Sequence, residues 1–339
     1  ACDIAETLAA AVDAGGPDVA QAAGPTIARV GEVTAAWEEL RDRADLVLFW
    51  HCDPADSHPR FVERFVRPPL AGGRPRSTIA VGTRSVLEAT AHHRHLPLPD
   101  AAAVEAARCL QLRFLGRTAG DAAIASACGE LHAAVAAADC VALVTRSGGD
   151  RLGLGPWSLA HVVRTIAHGR AAFQVPLGAG LTGPGPDVAG AAAVCTWRYG
   201  AAGAIARADR AGGGFAAAEA DARRLVARGE VDAILSLGPA REPLAALLAA
   251  HDDPPAVVRI EAASEAAPGS PRPPLRGRDI TIGCAPAAAT GGTMLREDGR
   301  EVRLAPFATA TVASMAQVLH ELHEAVRLAA GAGARGTPS

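Results

Sequence analysis

Short apolar runs rich in β-formers alternate with alanine-rich stretches along most of the chain, and this alternation restricts the fold more than any other feature. Strands are expected at Leu46–Trp50, Thr78–Val81, Val141–Thr145, Ala233–Leu237, Ala256–Ile260 and Ile280–Ile282. Helices are expected near Thr34–Arg43, Ala101–Leu115, Gly120–Ala137, Leu159–His168, Ala216–Arg228 and Pro243–Ala250. The runs are apolar throughout, as suits parallel strands buried on both faces. Several open after an acidic residue, as in Ala44-Asp45 before Leu46 and Val231-Asp232 before Ala233. This is α/β patterning, with parallel sheets joined by helices.

A chain of 339 residues with 49% hydrophobic content can bury substantial cores and has room for two domains, or for one inserted in another. A net charge of −3 and a pI near 6.4 give no electrostatic case for nucleic acid or an anionic membrane. No apolar run approaches the roughly 20 residues of a membrane span. The chain opens on Ala1 and not on Met, which leaves room for upstream sequence, and it shows no signal-like apolar region. A soluble, cytoplasmic protein is expected.

Every basic residue is arginine, with no lysine, so Schiff-base and P-loop lysine chemistry are excluded. The same bias weakens any single arginine as a mark of an anion site. Cysteines stand at 2, 52, 109, 128, 140, 195 and 284 without a CxxC or CxxxC pair, the local spacing that zinc and iron–sulfur sites use. Cys128, Cys140 and Cys195 lie in apolar surroundings and are expected in the core.

The Gly/Pro-dense segment Gly178–Gly190 and the Pro/Ser/Gly stretch Ala266–Pro274 mark boundaries. A β-rich tail follows at Asp279–Pro306, then a helix near Ala308–Leu328 and a flexible end over 329–339. Gly178-Ala179-Gly180-Leu181-Thr182-Gly183 matches the dinucleotide GxGxxG pattern, but Pro184 and Pro186 deny it the helix that should start at its last glycine. It reads as a loop. His92, His93 and His95, and the pair His320 and His323 spaced three apart, lack the spacing and third ligand of a zinc site. No metal site is expected, and the residues alone end at a soluble α/β protein.

One segment is distinctive. Residues Arg43 to Arg60 read Arg-Ala-Asp-Leu-Val-Leu-Phe-Trp-His-Cys-Asp-Pro-Ala-Asp-Ser-His-Pro-Arg, a strand running into an Asp-Pro and then a His-Pro-Arg. It resembles the family of the large, molybdopterin-binding subunit of formylmethanofuran dehydrogenase, a branch of the molybdopterin oxidoreductases, where the strand meets Ser-Asn-Pro and then His-Pro-Arg. Arg76–Arg84, Arg228–Ala233 and the octet Gly292-Thr293-Met294-Leu295-Arg296-Glu297-Asp298-Gly299 resemble further family stretches in the same order. The resemblance covers roughly residues 1–310. It implies two Rossmann-like parallel-sheet domains, one inserted in the other, with a short β-rich C-terminal segment. The expected division is 1–84 with 221–328, and 85–220 inserted.

The departures from the family pattern are functional. The family's metal-ligating cysteine or selenocysteine region corresponds to Val12–Pro25, which has no cysteine, histidine or serine and keeps only Gly24-Pro25. The acid that would meet a nucleotide ribose is replaced by Gly82, and the loop asparagine by Asp53. The tungsten or molybdenum pterin and the iron–sulfur cluster are therefore expected to be lost, leaving no cofactor on this chain. Such losses resemble the corresponding subunit of the formyltransferase/hydrolase complex of methylotrophs. The resemblance implies a non-catalytic subunit in a hetero-oligomer with a formyltransferase subunit, an amidohydrolase subunit and a further small subunit. That assembly takes formyl-tetrahydromethanopterin to formate through a methanofuran analogue. The vacated cleft is expected near His51, Asp53, His58, Arg60 and Arg64, with an anion such as a polyglutamate tail as its ligand. An active dehydrogenase subunit and a stand-alone anion-binding module are the alternatives.

Overall fold

Leu46–Trp50 (β1) is buried at all five positions, so a layer must cover each of its faces. It pairs in parallel with Ser77–Val81 (β2) on one side and with Cys140–Arg146 (β4) on the other. His92–Leu96 (β3) extends the sheet beyond β2, and Ala171–Leu177 (β5) beyond β4. The order β3-β2-β1-β4-β5 is that of a Rossmann-like sheet, with the chain direction across the sheet reversing between β1 and β4. The computed structural model describes residues 1–14, 31, 33–82, 90–146, 154–177, 188–201, 203–208, 214–216, 219–238, 246, 248–249, 253–262, 279–296 and 298–333.

Period-two alternation distributes β1 between two cores. Leu46, Leu48 and Trp50 pack with Ile79, Val81, Val141 and Leu143 under the helices Ala103–Phe114 (α3), Ala122–Ala137 (α4) and Leu154–Ala167 (α5). Val47 and Phe49 pack with Ala142, Val144, Phe173 and Val175 against Trp37–Arg43 (α2) and the side chains of Phe61, Phe65 and Val66. The product is three layers, helix on sheet on helix.

The amino edge of this sheet is tied by two polar side chains. The Asp45 carboxylate accepts the backbone N–H of Cys140 at 2.8 Å and of Asp139 at 3.0 Å, joining the starts of β1 and β4. Arg76, only 5% exposed, donates to the carbonyls of Ala44 at 2.7 Å, Pro68 at 2.6 Å and Leu40 at 3.4 Å, and to those of Val66 and Arg41. Two of these carbonyls close the last turn of α2, where a cation also suits the helix dipole.

The other unit contains a second parallel sheet, Ala233–Leu237 (β6), Ala256–Ala262 (β7) and Ile280–Cys284 (β8), in the order β6-β7-β8. Asp279 accepts the N–H of Val257 at 3.1 Å, repeating the role of an acid placed just before a strand. Around this sheet lie Cys2–Thr7 (α1), Val188–Tyr199 (α6), Ala222–Ala227 (α7), the short Ala287–Thr290 (α8) and Met315–Gly333 (α9), with α9 packed on α1 and β7. The hairpin of Gly292–Leu295 (β9) and Glu301–Leu304 (β10) supplies the β-rich tail. No helix among the described residues is long and apolar enough to cross a membrane.

One unit is nested in the other, but with boundaries different from those expected. The compact units are 1–16 with 190–294 and 301–339, and 17–189 with 295–300. Residues 85–189 do not form a separate insertion, because β3, β4 and β5 continue the sheet that β1 and β2 begin. The main segment of the five-stranded unit ends at Ala189, within the Gly/Pro-dense segment, whose residues 178–187 lie outside the described ones. The 263–278 stretch and most of the expected helix Pro243–Ala250 also lie outside them. The last helix starts later than expected, at a Ser314/Gln317 capping box, where the Gln317 side chain accepts the Ser314 N–H at 2.8 Å and the Ser314 hydroxyl accepts the Gln317 N–H at 3.2 Å. It continues through 329–333, where a flexible end was expected, and residues 334–339 lie outside the described ones.

The hairpin tip, residues 295–300, belongs to the five-stranded unit and is held there by a charged clasp. Arg296 donates to both oxygens of Glu38, at 2.9 and 2.5 Å, and to Asp298 at 2.8 Å, with its guanidinium 4.5 Å from the Trp37 ring centre. Asp298 in turn accepts the Trp37 N–H at 2.7 Å. The bonds from Arg296, outweighing burial, pull the Glu38 carboxyl down to about 2.

Two expectations follow from these ties. Replacing Arg76 by Lys should destabilise the chain by about 3 kcal/mol in urea titration, since one ammonium cannot serve five carbonyls and each orphan costs about 1–3 kcal/mol. Equal midpoints for the two proteins would dismiss that role. Glu38 has a folded pKa below its unfolded value of about 4.3, so its contribution is full above that pH and fades as pH falls toward 2. Glu38→Gln should therefore cost about 1 kcal/mol at pH 7 after solvent screening, and the gap to wild type should close between about pH 4.5 and 2. A gap constant with pH would contradict the clasp.

Candidate functional site

In open parallel sheets, ligands sit outside the carboxyl ends of the strands where the order reverses, here the ends of β1 and β4. At the end of β1 the chain leaves the sheet through His51, whose φ of 47° is left-handed and unfavourable for a residue with a Cβ. The His51 N–H still donates to Val81 O at 2.7 Å, so the turn happens against the end of β2. Gly82 follows β2 with φ 138°, donates to Leu96 O at 3.1 Å and accepts from His95 Nε2 at 2.8 Å. A Cβ on Gly82 would lie 3.2 Å from His51 Nδ1 and 3.3 Å from its Cα. Glycine is what lets the imidazole lie against this strand end.

The His51 side chain is 10% exposed, and its Nδ1 stands 2.9 Å from the Asp100 carboxylate. A carboxylate only accepts, so Nδ1 carries the proton. Nε2 is buried and has no hydrogen-bond partner among the described residues. The ring meets Trp50 edge-on at 5.7 Å. Next to it, the Cys52 thiol donates to Val144 O at 3.5 Å, bridging the ends of β1 and β4. Burial, reinforced by the Asp53 charge, pushes that thiol up to about 12. It stays protonated at neutral pH and is a poor metal ligand or nucleophile.

The remaining expected residues are engaged in the loop that follows. Asp53 caps a 3-10 turn over Pro54–Asp56 by accepting the Ala55 N–H at 2.9 Å. His58 shares a hydrogen bond with the Ser57 hydroxyl at 2.9 Å and packs edge-on against Trp37 at 5.3 Å. Arg60 is exposed and doubly bonded to Glu63, at 2.7 and 3.1 Å. Arg64, also exposed, lies 5.4 Å from the Phe65 ring centre. Of the five, His51 alone presents a buried polar atom at the strand ends. Asp100 was not anticipated: in Leu98-Pro99-Asp100-Ala101 it reads as an acid opening a helix, and nothing local links it to His51.

Among the other histidines, His93 Nδ1 lies 2.9 Å from the Thr78 hydroxyl and His95 bonds Gly82, both as side chains of β3. His320 is exposed on the last helix and His323 is half-buried. Among the described residues no group of three His, Cys, Asp or Glu is placed to hold a metal ion.

Among the described strand-end residues, those that the family resemblance would set beside a pterin dinucleotide with tungsten or molybdenum are engaged otherwise. The strand-end thiol is held protonated on a carbonyl. The place where a ribose-binding acid would stand is filled by His51. Asp53 spends its carboxylate on its own turn. Residues 15–25 of the segment matching the ligand region, and the 178–183 glycine loop, lie outside the described ones.

No protein-family model and no curated protein matches the chain. Among solved structures it is similar to a chain in the X-ray crystal structure of the formyltransferase/hydrolase complex (FhcABCD) from Methylorubrum extorquens in complex with methylofuran. The TM-score is 0.73 at 21% identity, over 95% of this chain and 86% of that one. The likeness is one of fold, and it takes in nearly the whole chain with both of its parallel sheets.

Proposed function

We propose that this chain is a structural, non-catalytic subunit of a formyltransferase/hydrolase complex of one-carbon metabolism. Formyl transfer from tetrahydromethanopterin to a methanofuran analogue, and release of formate, would take place on formyltransferase and amidohydrolase subunits beside it, with a further small subunit completing the assembly. The observation that carries this reading is the fold likeness over 95% of the chain to a component of such a complex. The strand-end chemistry supports the non-catalytic part, since Cys52, Asp53 and Gly82 are all committed to packing or turn geometry. Exposed apolar side chains support a partnered chain: Trp197 is 71% and Phe307 85% exposed, costly surfaces for a free monomer.

The test is metal and pterin analysis of the native complex, with mass-spectrometric identification of the chains that copurify. Formyltransferase and amidohydrolase chains without tungsten, molybdenum or pterin are expected. Stoichiometric metal and pterin traced to this subunit would replace the reading with an active dehydrogenase, and a chain that purifies alone would replace it with a separate anion-binding module.

A second expectation concerns His51. If the strand ends carry no chemistry, His51→Gly should leave formate release by the assembled complex within about twofold. The loss of the Asp100 bond should be matched or outweighed by the relief of about 1–3 kcal/mol of left-handed strain and of the buried Nε2, so stability should hold or rise. A fall in kcat of about 100-fold, the scale of a lost acid–base group, with assembly intact would make His51 catalytic.

A further inference from the structure

The amino edge of the five-stranded sheet carries a groove that neither the strand ends nor the proposed function uses. It encloses about 580 Å³ between the loop from Val66 to Arg76 and residues Thr90–His92 at the start of β3. That volume lies inside the range of roughly 300–1,000 Å³ typical of small-molecule sites. The loop is stiff by its sequence. Pro68, Pro69 and Pro75 fix their own backbone, Leu70 is buried as an anchor, and Gly72 and Gly73, at φ 76° and 70°, make the reversal between the prolines. A groove built this way is formed before any ligand arrives, so binding costs little ordering of the protein.

The charged lining is basic: Arg67, Arg74, Arg76 and His92, with no carboxylate among the described lining residues. Arg74 is balanced by Asp139 at 3.0 Å. Arg76 is buried, and its hydrogen bonds all go to carbonyls, which satisfy its donors without neutralising its charge. The acids whose charges reach it, Asp42 and Asp45, are engaged by Arg41 and by the N–H groups of Asp139 and Cys140. Arg67 is exposed, and the carboxylate near it, Glu63, is held by Arg60. Two guanidinium charges therefore face this groove without a bonded acid among the described residues.

We propose that the groove binds a phosphate monoester with an apolar body. Arg67 and Arg76 together match the charge of about −1.5 to −2 that a phosphate monoester carries at pH 7, where a single carboxylate would leave one cation over. Arg67 supplies the planar fork that suits phosphate oxygens, and the exposed His92 is a second donor. Arg76, its donors already used, acts through its field alone. A phosphate fills only part of the volume. The rest is walled by Val66, Ala91 and the three proline rings, surfaces that favour an apolar group over water.

The test is isothermal titration calorimetry of the full chain with phenyl phosphate, at neutral pH and low salt. Phenyl phosphate should bind at least about tenfold tighter than inorganic phosphate, which lacks the apolar body, and than benzoate, which carries a single charge. Arg67→Gln with His92→Gln should weaken phenyl phosphate at least about tenfold. Both side chains are exposed, so the urea midpoint of this double variant should stay in place. Arg60→Gln, an exposed arginine outside the groove, should leave the affinity within about twofold, which separates the groove from general surface charge. The proposal is overturned by any of four results: no heat of binding with phenyl phosphate, equal affinity for inorganic phosphate, unchanged affinity in the double variant, or an equal loss in Arg60→Gln.

Discussion

The amino edge of the five-stranded sheet rests on the Arg76 guanidinium. Taking a cation out of water costs several kcal/mol unless all its donors are met. Here they are met by five carbonyls drawn from the end of α2, from Ala44 just before β1 and from the loop after Val66. Burial lowers the Arg76 pKa, yet a guanidinium begins so high that it keeps its charge. Arg76 immediately precedes β2, and Asp45 immediately precedes β1 and holds the start of β4. Leu46 pairs with Ser77 and Val141, and Trp50 with Val81 and Thr145, so the register fixed at the near edge carries through to the far one. The spatial arrangement of His51, Gly82 and Cys52 at the far edge is therefore set by a cation at the near one.

This arrangement explains which elements were legible in the residues. β1, β2, β4, β6 and β8 are largely apolar runs that follow a polar or acidic residue, β7 follows Pro254-Pro255, and in Asp45 and Asp279 the acid has a definite task, taking the free N–H groups of a neighbouring strand. β3 and β5 do not read as strands. His92-His93-Arg94-His95-Leu96 is polar because it lies at a sheet edge, where Thr78 and Gly82 take up the histidines. Ala171–Leu177 contains Pro176, which an edge strand tolerates. Missing those two edges hid the continuity of the sheet and displaced the expected domain boundary to residue 84. The site was half legible: the strand end at His51 was marked, but its partner Asp100 is 49 residues away with no spacing to announce it.

The residues that carried the family resemblance turn out to hold the fold together. Arg296 and Asp298, from the octet 292–299, clamp the hairpin tip onto Trp37 and Glu38. His58, from His-Pro-Arg, packs edge-on beneath the same tryptophan, beside Phe61 and Phe65. Trp37 is thus covered by a guanidinium on one side and by three rings at its edges, an arrangement worth about 0.5–2 kcal/mol per contact. This offsets an indole N–H buried without an acceptor among the described residues. In these stretches the charges are spent on neighbours within the chain, so packing alone accounts for the residues that carry the resemblance.

His51 is the place where packing alone is an incomplete account. A left-handed conformation costs a residue with a Cβ about 1–3 kcal/mol, and glycine would turn the chain out of β1 without that cost. The imidazole must therefore contribute something a glycine cannot. One contribution is visible, the bond that ties the end of β1 to Asp100 at the start of the segment leading into α3. That bond uses Nδ1 and leaves Nε2 buried with no partner among the described residues, a second cost of about 1–3 kcal/mol. A single hydrogen bond to an exposed carboxylate returns about 1 kcal/mol, less than the two costs together. Within the described residues the balance at His51 does not close, and this sets it apart from Cys52, Asp53 and Gly82 at the same strand ends, whose polar groups all find partners there.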